Sequence, residues 1–378
     1  MIKTKNLKIG IDARFLGQKQ KGLGRYVQKL VENLEQVDFD NQYVIFLRKE
    51  NWLDYNPCNP NFKKVLADYG WYGLKEQVLM PLKIYKEKID LMHFPHFNLP
   101  VLYFRPFVVT IHDLVLRRFP TRRASTLGPI LYRFKNLAYR FVIYSAVKRS
   151  KKIIAVSNYT KNDILRYYKV KPEKIQVVYE GSPVIGNMSE KMSRHDLDIP
   201  KPFLLYVGNA YPHKNLERLI IAFKRLIEQE KMDLRLVLVG GTDYFYNQLK
   251  KKSCVISSGK IIFMDFLFDD ELNILYKNAS AYVFPSLCEG FGLPSLEAMV
   301  HNLPVVCSNS TCLPEILGYQ AALYFNPNSI DDMVEKIKNV LSDKKLRQKL
   351  AYSGQQRIKK YSWLRMAEQT LGVYKFVR

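Results

Sequence analysis

The sequence predicts an α/β protein made of two doubly wound domains, and three observations carry that expectation. Short apolar runs alternate with stretches of helical periodicity, which argues for a parallel sheet covered on both faces. The alternation occurs twice, on either side of a stretch from Gly181 to Pro202 rich in Ser, Pro, Gly and mixed charge, the composition of a linker. A chain of 378 residues also exceeds one typical hydrophobic core. The expected domains are residues 1–182 and 183–360, with a terminal helix over 361–378 that could cross back onto the first domain.

In chain order, Leu7–Asp12 reads as the first strand, followed by a loop from Gly17 to Gly24 and a helix beginning near Arg25. Further strands are expected at Tyr43–Leu47, Ile89–Phe94, Phe107–Ile111, Ile153–Val156 and Ile175–Val178, with helices at Leu74–Lys86 and Leu127–Val147. The second alternation begins at Phe203–Gly208. It continues with strands at Leu234–Val239, Ile261–Met264, Ala281–Phe284 and Pro304–Cys307 and helices near Leu216–Gln229, Asp269–Asn278 and Ile330–Leu341. In such sheets a ligand binds beyond the carboxyl ends of the strands, here in a cleft between the two domains.

The richest stretch for chemistry is Glu289-Gly290-Phe291-Gly292-Leu293-Pro294-Ser-Leu-Glu297. It lies between a strand and a helix that Pro294 opens, since proline is tolerated in a first turn. Gly290 and Gly292 permit close approach of the backbone, and a helix N-terminus favours phosphate. Two carboxylates beside such a site suit a ligand with phosphates at one end and hydroxyls around them, a sugar nucleotide. Three other constellations fit it. Gly22-Leu-Gly24-Arg25 follows the first strand and opens a helix, an anion site. His112-Asp113 ends an apolar strand, with His93 and His96 after another. Asn209 and His213-Lys214-Asn215 follow the first strand of the second domain, where Lys214 would set a compact positive charge against a departing diphosphate.

Composition narrows the class. Apolar residues make up 47% and charged residues 25%, as in soluble globular proteins. The five cysteines show no paired metal spacing and read as buried, reduced thiols of a cytoplasmic protein. The N-terminus lacks a signal-peptide core, and no apolar stretch suits a bilayer. Of the net charge of +24, residues 1–182 carry 33 Lys/Arg against 15 Asp/Glu, hence +18. An anionic partner follows, but no zinc-finger, RNP or helix-turn-helix signature supports nucleic acid. Asp38-Phe-Asp40 has the spacing of a metal site and reads instead as a solvated turn, so no metal is expected.

The Glu289–Glu297 pattern resembles the Glu-(seven residues)-Glu motif of family 4 glycosyltransferases, retaining enzymes of the GT-B fold. The likeness extends from Ile9-Gly-Ile-Asp-Ala-Arg14 to Ala321–Pro327. It implies that Gly22, Gly24 and Arg25 face the donor's phosphates, and that His112 lies beside the transferred sugar as base, hydrogen-bond donor or shape element. It further implies that Glu289 binds sugar hydroxyls and Glu297 the ribose. Catalytic roles fall to His112, Lys214 and Glu289, and donor binding also to Asn209, His213, Gly290, Phe291, Gly292 and Leu293. Asn209 replaces an arginine common in the family, leaving Arg25 or His213 as the second cation. Tyr211-Pro-His-Lys214-Asn is similar to mannose-transferring members, so GDP-mannose is the first expectation for the donor, then UDP-glucose or UDP-galactose. The acceptor would be a carbohydrate or a lipid-linked glycan in polysaccharide or glycolipid assembly, with no cofactor. A GT-B epimerase and a non-catalytic basic binding module remain as alternatives.

The stretch Arg117–Lys152, including Arg122 and Arg123, holds eleven Lys/Arg and no acid. Apolar residues recurring from Leu127 at 130, 131, 134, 137, 138, 141 and 142 predict an amphipathic helix. Either they face the core beneath a solvated basic face, or that face lies on an anionic membrane, held by charge alone and released by salt.

Overall fold

Thirteen parallel strands form two separate sheets in the computed structural model, which describes residues 6–17, 20–119, 128–183, 199–254 and 259–377. The first sheet comprises β1 (Lys8–Asp12), β2 (Gln42–Leu47), β3 (Phe62–Leu66), β4 (Leu91–Phe94), β5 (Phe107–Ile111), β6 (Lys152–Ala155) and β7 (Ile175–Val177), in the order β3-β2-β1-β4-β5-β6-β7. The second comprises β8 (Phe203–Val207), β9 (Arg235–Val239), β10 (Ile261–Met264), β11 (Ala281–Phe284), β12 (Val305–Ser308) and β13 (Ala322–Phe325), in the order β10-β9-β8-β11-β12-β13. Each sheet reverses its direction of growth once, between β1 and β4 and between β8 and β11. That reversal is where a doubly wound sheet opens a crevice for ligands.

The central strands are apolar on both faces because helices cover both. Ile9, Ile11, Val44 and Phe46 in the first sheet are buried, as are Leu204, Leu236, Val283 and Val306 in the second. The edge strand β3, Phe-Lys-Lys-Val-Leu, escaped the sequence reading because only Phe62 and Val65 of it turn inward.

The chain divides into a unit of residues 1–118, 125–181 and 362–378 and a unit of 119–124 and 182–361. The last helix, Trp363–Phe376, belongs to the first. Gly181 packs so closely on Trp363 that an added Cβ would sit 2.4 Å from its backbone nitrogen.

Four expectations need correction. The first helix spans Lys21–Val37, so Gly22 and Gly24 lie inside its first turns rather than in a loop before it. Neither has positive φ. Gly24 is needed because a Cβ there would lie 2.0 Å from the Gly17 carbonyl oxygen. Asp38 is buried rather than solvated and accepts from the Tyr43 hydroxyl (2.6 Å), the Asn41 side-chain amide (2.7 Å) and two backbone amides. Burial opposes its ionisation, but these donors outweigh it and hold its carboxyl below the ordinary range. Cys58 is exposed, whereas Cys288, Cys307 and Cys312 are buried free thiols.

The fourth correction concerns the helix Pro129–Arg149. Ile143, Ala146 and Val147 turn to the core, while Phe134, Leu137 and Phe141 of the expected inward stripe are exposed. Arg122 and Arg123 lie outside the described residues. No helix among the described residues is long and apolar enough to cross a membrane.

Candidate functional site

In the second unit the loops after β8 and β11 leave adjacent strands at the reversal point, and hydrogen bonds stitch them together. The Leu287 amide donates to the His213 carbonyl (2.7 Å), and the Asn215 side chain donates to the carbonyls of Pro285 (3.1 Å) and Pro327 (2.9 Å). Asn215 therefore does not cap the following helix with its side chain. It holds Lys214 against the neighbouring loop instead. There the Lys214 ammonium donates to Glu289 Oε1 at 2.6 Å, both side chains being largely shielded from water. The ammonium also sits 5.7 Å from the centre of the Phe284 ring. Glu289 is fixed at its backbone, whose amide donates to the Thr311 hydroxyl (3.0 Å).

Gly292 caps the helix Leu293–Val300 with φ of +93°, a conformation that a side chain would strain. The helix bounds place Glu297 one turn inside. Glu297 Oε2 accepts from the Tyr276 hydroxyl (2.8 Å), and the Tyr276 ring stacks on His301. Phe291 and Leu293 are buried, and the Phe291 ring meets Tyr361 edge-on. Their side chains are thus packed away from water. After β8, Gly208 and Asn209 are held through their carbonyls by the hydroxyls of Tyr246 (2.9 Å) and Tyr206 (2.8 Å). The Asn209 side chain folds back towards the Tyr211 amide (3.4 Å).

In the first unit His112 directly follows β5, with both ring nitrogens engaged. Nδ1 lies 3.1 Å from Glu180 Oε1, and Nε2 lies 2.9 Å from the Pro95 carbonyl oxygen. Both partners are acceptors, so the ring satisfies both only as an imidazolium. Burial works against that charge, but Glu180, the Pro95 carbonyl and Asp113 outweigh it and raise the pKa above 6.5. The Tyr26 ring meets the imidazole edge-on at 4.6 Å. His93 does not join this group. It is fully buried between the hydroxyls of Tyr374 (2.6 Å) and Thr110 (2.8 Å), and burial pushes it down to about 3. His96 is likewise driven by burial to about 3, its Nδ1 accepting from the Asn98 amide. Both stay neutral. Gly22 is exposed and Arg25 half-buried at the start of their helix.

Sequence reasoning missed Glu180, Thr311 and Tyr276. Each lies well along the chain from its partner, and only Glu180, an acid just after a strand and directly before Gly181-Ser182, carried a local signal that could have found it.

The His112–Glu180 pair predicts a pH signature. A raised folded pKa means that its stabilisation is complete below the unfolded value of about 6.5 and is lost as pH rises through the folded value. His112→Gln should therefore cost the most thermal stability in mildly acidic buffer and progressively less in alkaline buffer. A penalty that grows with pH would contradict the imidazolium.

The profile described as "Glycosyl transferases group 1" matches residues 187–357, and that described as "Glycosyltransferase Family 4" matches residues 21–183. The O-antigen chain mannosyltransferase B of Escherichia coli is 30% identical over 78% of this chain and 76% of that protein. The chain belongs to glycosyltransferase family 4. A second relative, the O-antigen chain mannosyltransferase RfbU of Salmonella typhimurium, is 32% identical over 61% of this chain and 63% of that protein, just under two-thirds of its length. Among solved structures, Anabaena Alr3699/HepE in complex with UDP-glucose superimposes with a TM-score of 0.72 at 16% identity, covering 98% of this chain and 100% of that one. The two-sheet architecture of this glycosyltransferase is thus the GT-B fold, and the protein is a hexosyltransferase.

Proposed function

We propose that this glycosyltransferase moves a mannosyl residue from GDP-mannose to a hydroxyl of a growing polysaccharide or glycolipid, in the cytoplasm, with retention at the anomeric carbon and without a metal ion. The observation that carries the reading is the Lys214–Glu289 pair at the reversal point of the second sheet. An ammonium has three donors and a carboxylate about four acceptor positions, so their single bond leaves both with capacity. The spare donors of Lys214 suit the oxygens of a diphosphate as charge develops on it. The spare lone pairs of Glu289 suit sugar hydroxyls, and Glu297, oriented by Tyr276, suits the ribose.

His112 supports a particular proton path. With both N–H groups donating, it holds its position and offers positive charge rather than a base. The acceptor's proton is then left to an oxygen of the departing phosphate, on the face of the sugar where the acceptor attacks, which accounts for retention. Mannose as the transferred sugar is supported by the O-antigen relatives, and a nucleoside diphosphate donor by the UDP-glucose complex of the structural neighbour.

A panel of nucleotide sugars, scored by thermal stabilisation and then by transfer, tests this reading, because a tight binder raises the melting temperature by mass action. GDP-mannose should stabilise most, yield an α-linked product by NMR and react at an unchanged rate in EDTA. Loss of transfer in EDTA with recovery in Mn²⁺ would overturn the metal-free step. Isomerisation of the donor with its diphosphate intact and no acceptor needed would replace transfer by epimerisation.

A further inference from the structure

Away from the donor loops, the first unit carries a surface that its own packing does not explain. In the helix Pro129–Arg149, Ile143, Ala146 and Val147 point into the core. Phe134, Leu137, Phe141 and Tyr144 recur at spacings of three, four and three on a stripe roughly 150° around the helix from them. They are exposed by 67%, 61%, 62% and 52%. The helix Leu74–Lys86 repeats the arrangement, with Met80 and Ile84 buried and Leu74, Val78 and Leu82 exposed. The loop between them joins the two stripes. The Val101 amide donates to Gln77 Oε1 (2.7 Å), the Phe104 amide to the Tyr85 hydroxyl (3.0 Å), and the Arg149 guanidinium to the carbonyls of Val101 and Tyr103. Leu102 and the 73%-exposed Phe104 extend the apolar surface there. Among the described residues of the two helices and the loop between them, the exposed charges are of one sign: Arg133, Lys135, Arg140 and Lys148 on one helix, Lys75 and Lys86 on the other and Arg105 between them, whereas Glu76 is buried.

At the edge of this face Arg117, Arg140, Phe141, Tyr144, Tyr167 and Tyr168 line a groove of about 260 Å³. Tyr168 is more than nine-tenths buried, yet its hydroxyl has no hydrogen-bond partner among the described residues. Burial pushes that hydroxyl up to about 12, with Arg117 and Arg140 opposing the shift, so both guanidinium groups bear on the same oxygen. The Arg117 guanidinium lies 5.5 Å from the centre of the Tyr167 ring, and neither arginine forms an ion pair with a carboxylate among the described residues.

We propose that this face docks on an anionic phospholipid bilayer, with Phe134, Leu137 and Phe141 entering the headgroup boundary and the Arg117–Arg140–Tyr168 groove holding one lipid phosphate. An exposed apolar stripe on a basic helix has the partition of an interfacial helix. A phosphate supplies an acceptor for the buried hydroxyl and a charge for two guanidinium groups that have no carboxylate partner among the described residues. A bilayer suits the single sign of the rim better than a protein surface, which mixes both signs. The association therefore has an apolar component that salt does not screen. The inference goes beyond the transfer reaction, and its test reads vesicle binding, so either can fail alone.

The full-length protein should co-sediment with phosphatidylglycerol-containing vesicles and not with phosphatidylcholine alone. Binding should fall with salt but leave a residue at high salt. Arg117→Gln with Arg140→Gln should weaken binding by about 25-fold at low salt, taking about five-fold for each basic residue. Tyr168→Phe should weaken it by roughly ten-fold while leaving the melting temperature of the vesicle-free protein unchanged or higher, since it deletes an unpartnered buried hydroxyl. Phe134→Ser, Leu137→Ser and Phe141→Ser together should abolish the salt-resistant part without changing circular dichroism. Equal binding to neutral vesicles, or none to either kind, overturns the proposal. So does stabilisation by inorganic phosphate that matches that by anionic vesicles, which would make the groove a free-phosphate site. Self-association removed by the triple serine variant, without vesicle binding, would assign the face to contact between copies instead.

Discussion

Replacing Lys214 by methionine should lower the turnover number for sugar transfer by roughly a hundred- to a thousand-fold, the cost of deleting one preorganised charge donor from a transition state that gains negative charge. Methionine keeps an apolar stem of similar reach and removes the ammonium, together with its bond to Glu289 and its cation–π contact with the Phe284 ring. Donor affinity should change much less, because the diphosphate gains most of its extra charge after binding. Glu297→Ala should show the opposite split, raising the donor Kd by roughly ten- to a hundred-fold, the usual loss for a hydrogen bond to a charged group, with a smaller effect on saturated turnover. Steady-state kinetics with titrated donor separates the two. Equal effects of both variants on Kd alone would remove Lys214 from the chemical step.

Arg14→Met should be the most destabilising single substitution in the first unit. Arg14 is fully buried, donating to both oxygens of Asp12 (2.8 and 2.7 Å), to Glu76 Oε1 (2.7 Å) and to the Tyr69 carbonyl (3.1 Å). Asn98 and the Tyr72 amide complete the shell of Glu76. Deleting the cation leaves two buried carboxylates with no charge partner, which costs about 3–5 kcal/mol. In a unit of this size the melting temperature should fall on the order of 10 °C. The triple variant Arg14→Met, Asp12→Leu and Glu76→Met should recover much of the loss, because it removes the stranded charges as well. A fall of only a degree or two for Arg14→Met would show that water reaches the cluster.

The order of elements was legible because central strands of a doubly wound sheet are buried on both faces. Runs such as Phe203–Val207 and Ala281–Phe284 therefore stay apolar from end to end and announce themselves. The edge strand β3 and the helix Asn158–Tyr168 did not, since two lysines interrupt the apolar run in one and polar residues fill the exposed side of the other. Gly24 stood out as a glycine, but its purpose did not, because the Gly17 carbonyl that forbids a side chain there arrives through a loop.

For the helix Pro129–Arg149 the periodicity of apolar residues predicted a helix and pointed its stripe the wrong way. A helical wheel ranks residues by hydrophobicity, whereas the choice of inward face is made by what packs against the helix. Here the small Ala146 with Ile143 and Val147 meets the sheet, and the phenylalanines are left outside.

By itself the sequence determined two sheets of parallel strands, a glycine turn ahead of the helix that carries Glu297, and an excess of positive charge in the first half. These are properties of local composition and spacing, which act along the chain. Tertiary structure alone decided that Lys214 meets Glu289, that Glu180 charges His112, that Tyr276 orients Glu297, and that Tyr374 of the last helix reaches His93. The pairs are separated by 75, 68, 21 and 281 residues in sequence. No local pattern encodes such meetings. They follow from strand order, which brings the loops after β8 and β11 side by side, and from the packing of helices on the sheets.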